Sequence, residues 1–141
     1  MKKKSKLNDK LAAIDAKFAV SAADLSEAIK RVGSTAQDAG VGFDELIALV
    51  TAAQQTTARG GAVIGNALKT ILTRIQQPKI LKQLEEIGIV INNSRGNTLS
   101  TIEILINLVN KFNKLNYSKQ IKVCELLGGV YQMSITKAMF N

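Results

Sequence analysis

Three glycines stand close together in the stretch TTARGGAVIGNALKT, residues 56–70. Gly60 and Gly65 have the spacing of the two glycines of a P-loop, whose backbone holds the phosphates of a nucleotide. That chemistry needs a lysine and then a serine or threonine after the second glycine, whereas Asn66 and Ala67 occupy these positions. A strand should also precede the loop, but the preceding residues have a helical pattern. The stretch therefore does not predict a phosphate site.

The same glycines fit a role in helix packing. Gly61 and Gly65 form a GxxxG pattern, which clears side chains from one helix face so that another backbone can approach closely. We predict a corner between two helices, with Gly60 or Gly61 at positive φ and Gly65 at a close contact. A second double glycine, Gly128-Gly129, predicts a similar break later in the sequence.

Side chains that enzymes commonly use are scarce. The sequence has no histidine, which excludes Ser-His and Cys-His pairs and histidine-bound metals. The acidic pairs Asp44-Glu45 and Glu85-Glu86 are adjacent, and neighbours on a helix point about 100° apart, so neither forms a facing acid–base pair. Cys124 lies on the apolar side of a helical pattern and is expected in the core. We therefore predict a protein that is not an enzyme, with no catalytic, cofactor-binding or metal-binding residues.

Charge is distributed unevenly over the 141 residues. The net charge is +8, and residues 1–17 hold six lysines and two aspartates. Between Leu46 and Leu84 five basic residues occur without an acidic one. This balance favours a nucleic acid, a membrane surface or an acidic protein as partner, or it serves only as a solubilising surface. No apolar run reaches the roughly 18 residues of a membrane-spanning helix.

The first half of the sequence has helical periodicity. Apolar spacing predicts one helix over Lys6–Ala19 and a second that Ser21 and Asp24 cap and Gly40 ends. The second helix has the stripe Leu25, Ala28, Ile29, Val32, Ala36 and Ala39. Asp44 is the predicted cap of the next helix, with the stripe Leu46, Leu49, Val50, Ala53 and Thr57.

The helix predicted after the double glycine is unusually apolar. Between Ala62 and Gln76 more than half of its circumference is apolar, so it is either central in the fold or covered by a partner. Pro78 is expected to end it. A short helix up to Gly88 follows.

The second half adds a turn-rich stretch between helices. The β-branched run from Ile89 and the polar NNSRGN, residues 92–97, predict a short β-hairpin near residues 89–99. Arg95 is a candidate binding residue there, although a polar turn with Gly96 at positive φ explains the loop better. Ser100 and Glu103 predict a capping box. The stripe of that helix is Ile102, Leu105, Ile106, Val109 and Phe112, and Ser118 is expected to open the last segment.

These patterns together predict a mainly α fold. It has about six to seven helices in a helical-hairpin or bundle arrangement, with one short β-hairpin.

Three segments in this order resemble the core region of phage tail tape-measure (minor tail) proteins. They are KFAVSAADLSEAIKRVGSTAQDAGVGFDELIALVTAAQQTTARGGAVIGNALKTILTRIQ, LEEIGIVINNSRGNTLSTIEILINL and ELLGGVYQMSITKAM. The resemblance divides the chain into a basic N-terminal helix or extension over residues 1–16 and a core-like helical region over residues 17–141.

The resemblance implies a structural role in tail assembly. Tape-measure proteins lie in the lumen of the growing tail, and their length sets how far the tail tube polymerises. The implied partners are further copies of the chain, the tail tube protein, the tail assembly chaperone and tip or baseplate proteins, with weak contact to DNA or a host membrane. No small-molecule substrate is implied. The implied location is the virion tail, after synthesis in the bacterial host cytoplasm.

The length of the chain departs from this family. As one continuous helix, 141 residues would span at most about 210 Å, whereas family members run to many hundreds of residues. We therefore expect a fragment, a split gene or a prophage remnant, and a chain that self-associates or is poorly soluble. The alternative from the residues alone is a basic helical protein that binds nucleic acid or acts on membranes.

Overall fold

The computed structural model describes residues 22–57 and 59–129. The predicted helix over Lys6–Ala19, the domain boundary at residues 16–17 and the predicted cap at Ser21 lie outside the described residues. The segment expected after the second double glycine, residues 130–141, also lies outside them.

The described residues form six helices and no strand, which confirms the mainly α prediction for this part of the chain. In chain order they are α1 (Ala22–Asp38), α2 (Phe43–Thr57), α3 (Gly61–Arg74), α4 (Pro78–Ile87), α5 (Thr101–Phe112) and α6 (Tyr117–Gly128).

Several predicted helix ends are confirmed. Gly40 and Gly88 follow α1 and α4 with φ of 75° and 108°, the left-handed conformation that glycine adopts without strain. Ser100 and Glu103 form both hydrogen bonds of the capping box at the start of α5. The second double glycine also ends a helix, because α6 stops at Gly128.

Two predicted helix starts are wrong. Helix α2 begins at Phe43, so Asp44 lies in its first turn, and the Glu45 carboxylate accepts a hydrogen bond from the Gly42 N–H at 2.8 Å. Asn116, and not Ser118, caps α6, since its side chain accepts from the Lys119 N–H at 2.9 Å. In both places another capping group lies close by in the sequence, and its use lengthens the helix.

Pro78 begins the next helix, α4, and α3 ends before it, as predicted. Helix α3 already stops at Arg74, and Pro78 occupies the first turn of α4. The first turn suits proline because the N–H that it lacks would have no partner within the helix.

The predicted β-hairpin is wrong. Between α4 and α5 a single antiparallel bridge joins Asn92 and Thr98, and a backbone hydrogen bond of 2.8 Å joins the Leu99 N–H to the Ile91 carbonyl. The segment at Thr98 and Leu99 cannot extend into a strand, because Ser100 already caps α5. A ladder of two strands therefore has no room to form.

Helix α3 is at the centre of the described fold. It packs most extensively against α1 and also contacts α2 and α6. Its buried residues lie on one side, within about 160° of the circumference at 100° per residue: Gly61, Ile64, Gly65, Ala67, Leu68, Ile71 and Leu72. The central position explains its apolar composition.

One continuous core joins the helices. Its largest fully buried side chains include Leu25, Val32, Val50, Ile64, Leu72, Leu84, Leu108, Phe112 and Leu127. The predicted stripe of α1 is confirmed, with Leu25, Ala28, Val32 and Ala36 buried. Cys124 is also buried, as predicted.

Candidate assembly surface

The predicted close helix contact is present between α1 and α3. A Cβ atom added to Gly61 would lie 2.1 Å from the Asp24 carbonyl oxygen, and one added to Gly65 would lie 3.0 Å from the Ala28 Cα. The two glycines thus let the backbones of the two helices touch. We call the region formed by Asp24, Ala28, Gly61 and Gly65 the α1–α3 contact.

The order of these pairs fixes the direction of the first three helices. Gly61 lies against Asp24, and Gly65 lies against Ala28. A step of four residues forward along α3 therefore corresponds to a step of four residues forward along α1. Helices α1 and α3 therefore run parallel. Helix α2 joins the end of α1 to the start of α3, so it runs antiparallel to both.

The start of α3 cannot serve as a phosphate site. The Asp24 carboxylate accepts a hydrogen bond from the Gly61 N–H at 3.1 Å, so a protein anion already occupies the position where a helix N-terminus would bind phosphate. The positive φ predicted at Gly60 or Gly61 is wrong. Gly60 has φ of −70° in extended backbone, and Gly61 is the first residue of α3. These glycines are explained by the lack of space for a side chain.

The acidic pairs do not form a reactive site. Asp44 and Glu45 lie in the first turn of α2, and Glu85 and Glu86 are exposed near the end of α4. One Glu85 oxygen accepts a hydrogen bond from the Asn92 amide at 3.3 Å. Within residues 22–57 and 59–129 no group of three acidic or cysteine side chains is placed to hold a metal ion.

The loop that contains Arg95 closes on itself as a polar turn. The Asn93 side-chain oxygen accepts from the N–H groups of Arg95 and Asn97, at 2.9 and 3.0 Å. Gly96 has φ of 83°, as the turn interpretation predicts. The Arg95 side chain is exposed and stands alone, without other basic side chains from the same loop.

An open apolar groove lies between α2 and α5. Its volume is about 450 Å³, and its lining consists of Glu45, Ala48, Leu49, Ala52, Ile102, Leu105, Ile106, Val109 and Asn110. We call it the α2–α5 groove. Ile106 and Val109 on its wall are 53% and 47% exposed, so large apolar side chains face solvent there. Sequence analysis did not predict this groove, because it joins helices that are about fifty residues apart.

Helix α5 has more apolar side chains than its buried face holds, and the groove lies along the remainder. The predicted stripe of α5 is therefore partly wrong. Leu105 and Phe112 are buried as predicted, but Ile104 and Leu108 complete the buried face. Ile106 and Val109, which the prediction placed in the core, stay half exposed. Helix α5 is apolar over more than one stripe, and packing leaves the surplus on the surface.

A basic surface surrounds the turn between α5 and α6. Lys111, Lys114, Lys119 and Lys122 are all exposed, and the sequence holds no acid between Glu103 and Glu125. Tyr117, within this group, is 67% exposed. We call these five residues the α5–α6 basic surface.

No helix in the described part of the chain is long and apolar enough to cross a membrane.

Comparison with known proteins points to phage tails. The model of the family described as phage-related minor tail proteins matches residues 1–129. A curated relative, the probable tape measure protein of Escherichia phage P2, is 28% identical over 109 residues. The match includes 74% of this chain, but the chain spans only 13% of the length of that relative. No solved structure matches the chain.

The family match includes α1 to α6 and therefore both the α1–α3 contact and the α2–α5 groove. A structural role in the tail is consistent with the helical fold and with the apolar α2–α5 groove, which is suited to contacts between proteins. The chain belongs to the family of phage-related minor tail proteins, which are structural components of the virion tail.

Proposed function

We propose that the chain is a non-catalytic tape-measure component that acts in tail length determination and tail tube assembly. The observation that carries this proposal is the family match over residues 1–129, together with the similarity to a tape measure protein. Its proposed partners are other copies of the chain, the tail tube protein, the tail assembly chaperone and tip or baseplate proteins. Synthesis in the bacterial host cytoplasm, before incorporation into the tail, is part of the same proposal.

The compact fold determines how such a component would contribute. The longest described helix, α1, has 17 residues, and at 1.5 Å per residue it spans about 26 Å. The six helices fold onto one core instead of extending end to end. We infer that this region acts as a folded element that other tail proteins contact, and that its direct contribution to tail length is small.

Removal of the chain tests the assembly role. In a phage that encodes it, a stop codon early in the gene should give particles with no tail or with tails of uncontrolled length in electron micrographs. A synonymous codon change at the same site is the matched control, and expression of the intact chain from a plasmid should restore the tails. Normal tails without the chain would contradict the proposal.

A duplication separates length determination from assembly. An in-frame second copy of residues 22–129 should lengthen tails by the length of one folded unit. This is far less than the roughly 160 Å that the same 108 residues would span as one continuous helix. An increase near 160 Å would show that the region is stretched in the tail. No increase would restrict the role to assembly.

One observation favours a second function, contact with DNA. The α5–α6 basic surface combines four exposed lysines with an exposed tyrosine ring, which suits phosphates and unstacked bases. The double variant Lys114→Gln with Lys122→Gln should weaken DNA binding. The slope of the logarithm of the binding constant against the logarithm of the salt concentration should become less steep by about one unit per lysine. Lys30→Gln, at an exposed position of α1, is the control. Equal DNA binding by all variants would show that the α5–α6 basic surface does not contact DNA.

A further inference from the structure

The α2–α5 groove is an apolar surface that no described helix covers. Ala48 and Ala52 leave space along α2, while Ile106 and Val109 expose large side chains along α5. Burial of these half-exposed side chains would stabilise the protein, because it removes apolar surface from water. The groove is thus suited to an amphipathic helix with one apolar stripe.

The sequence contains such a stripe before the described residues. Leu7, Leu11, Ile14 and Phe18 are spaced four, three and four residues apart, which places them on one side of a helix. The eleven steps from Leu7 to Phe18 span about 16 Å in helical form. From Glu45 to Ala52, α2 lines the groove over about 10 Å on the same scale. The stripe is long enough to fill the groove.

The topology favours one direction for this segment. Only Val20 and Ser21 separate the predicted helix, residues 6–19, from α1, and short links join antiparallel neighbours. A segment antiparallel to α1 runs in the direction of α2, because α2 is itself antiparallel to α1. Its first residues then lie where α1 ends and α2 begins.

Charge is complementary in this arrangement. The end of the fold where α1 stops and α2 starts carries the acidic residues Asp38, Asp44 and Glu45. The first half of the segment holds Lys6 and Lys10 with one acid, Asp9, and three further lysines precede it: Lys2, Lys3 and Lys4. With the opposite direction, these lysines would lie near the Asp24 end of α1, away from the three acids. Charge therefore favours the same direction as the short link.

We propose that residues 6–19 of the same chain occupy the α2–α5 groove, with the stripe from Leu7 to Phe18 against Ala48, Ala52, Ile106 and Val109. The inference does not depend on whether the chain determines tail length, since it concerns only contacts within one chain.

Photo-crosslinking in the full 141-residue chain tests the occupant directly. The substitution Ile14→p-benzoylphenylalanine should give, after irradiation, crosslinks to groove residues on α2 or α5. In a mixture of ¹⁵N-labelled and unlabelled chains, both peptides of each crosslink should carry the same label. The same probe at Ala16, on the opposite side of the helical wheel, is the matched control and should not reach the groove.

Two crosslinking results would overturn the proposal. Crosslinks between labelled and unlabelled peptides would show that a second copy fills the groove. Crosslinks from position 14 to another surface, or none to the groove, would show that the segment binds elsewhere.

A double-mutant cycle supplies an independent measurement. Leu11→Ala and Val109→Ala should be coupled by at least about threefold in the unfolding equilibrium constant, because the residues are in contact. Leu11→Ala with Val90→Ala is the control, since Val90 is 60% exposed and lies outside the groove. That pair should be additive. Additive behaviour of both pairs would contradict the proposed contact.

Discussion

Small residues line both the α1–α3 contact and the α2–α5 groove, but only the contact is closed. At the contact, Gly61 has the Asp24 backbone where its own Cβ would stand. At the groove, Ala48 and Ala52 face about 450 Å³ of open space, and Val109 is half exposed. The closed region fixes the fold, whereas the open region has apolar side chains that no described helix covers.

The largest expected effect comes from adding one methyl group to the closed region. Gly61→Ala should lower the free energy of unfolding by about 3 kcal/mol or more, because the Asp24 backbone must move and the two helices must separate. Thermal and denaturant unfolding, followed by circular dichroism, measure the loss.

Gly33→Ala is the matched control for this variant. Gly33 also lies in a helix, α1, but a Cβ there would meet no atom within 4 Å. Alanine has the higher helix propensity, so this variant should gain up to about 1 kcal/mol. Similar losses in the two variants would mean that the close approach is not what requires glycine at residue 61.

The sequence revealed the closed region better than the open one. The spacing of Gly61 and Gly65 predicts a close contact, because it is a property of one helix. The positive φ predicted at Gly60 or Gly61 is wrong because glycine serves both in turns and where space is short, and the two uses look alike in a sequence. The α2–α5 groove depends on which apolar side of α5 packs inward, and Leu108 and Val109 are equally apolar in sequence. Only the neighbouring helices decide between them.

Gly65→Ala should have about half the effect of Gly61→Ala. The added Cβ would lie 3.0 Å from the Ala28 backbone and from the Arg31 Cβ, so the helices need to shift by only a few tenths of an ångström. We expect a loss of about 1.5 kcal/mol. Denaturant midpoints at constant m-value measure it. A loss larger than that of Gly61→Ala would place the closest approach further along the helices than described.

Asp24→Ala tests the polar part of the closed region. It removes the acceptor for the Gly61 N–H and the negative charge at the start of α3. The expected loss is about 1 kcal/mol. Asp24→Asn keeps an acceptor and should lose less, with a smaller response to salt. Equal losses would assign the effect to charge and not to the hydrogen bond.

Ala48→Leu, in the open region, should have the smallest effect on stability. Ala48 is exposed on α2 and lines the groove, and leucine has nearly the helix propensity of alanine. The groove has space for the added carbons, so the free energy of unfolding should change by no more than about 0.5 kcal/mol. Residues 6–19, if they occupy the groove, can shift over the added side chain because no backbone of the described helices blocks it. A loss above about 2 kcal/mol would show that the groove is packed as tightly as the α1–α3 contact, and the distinction between a closed and an open region would then fail.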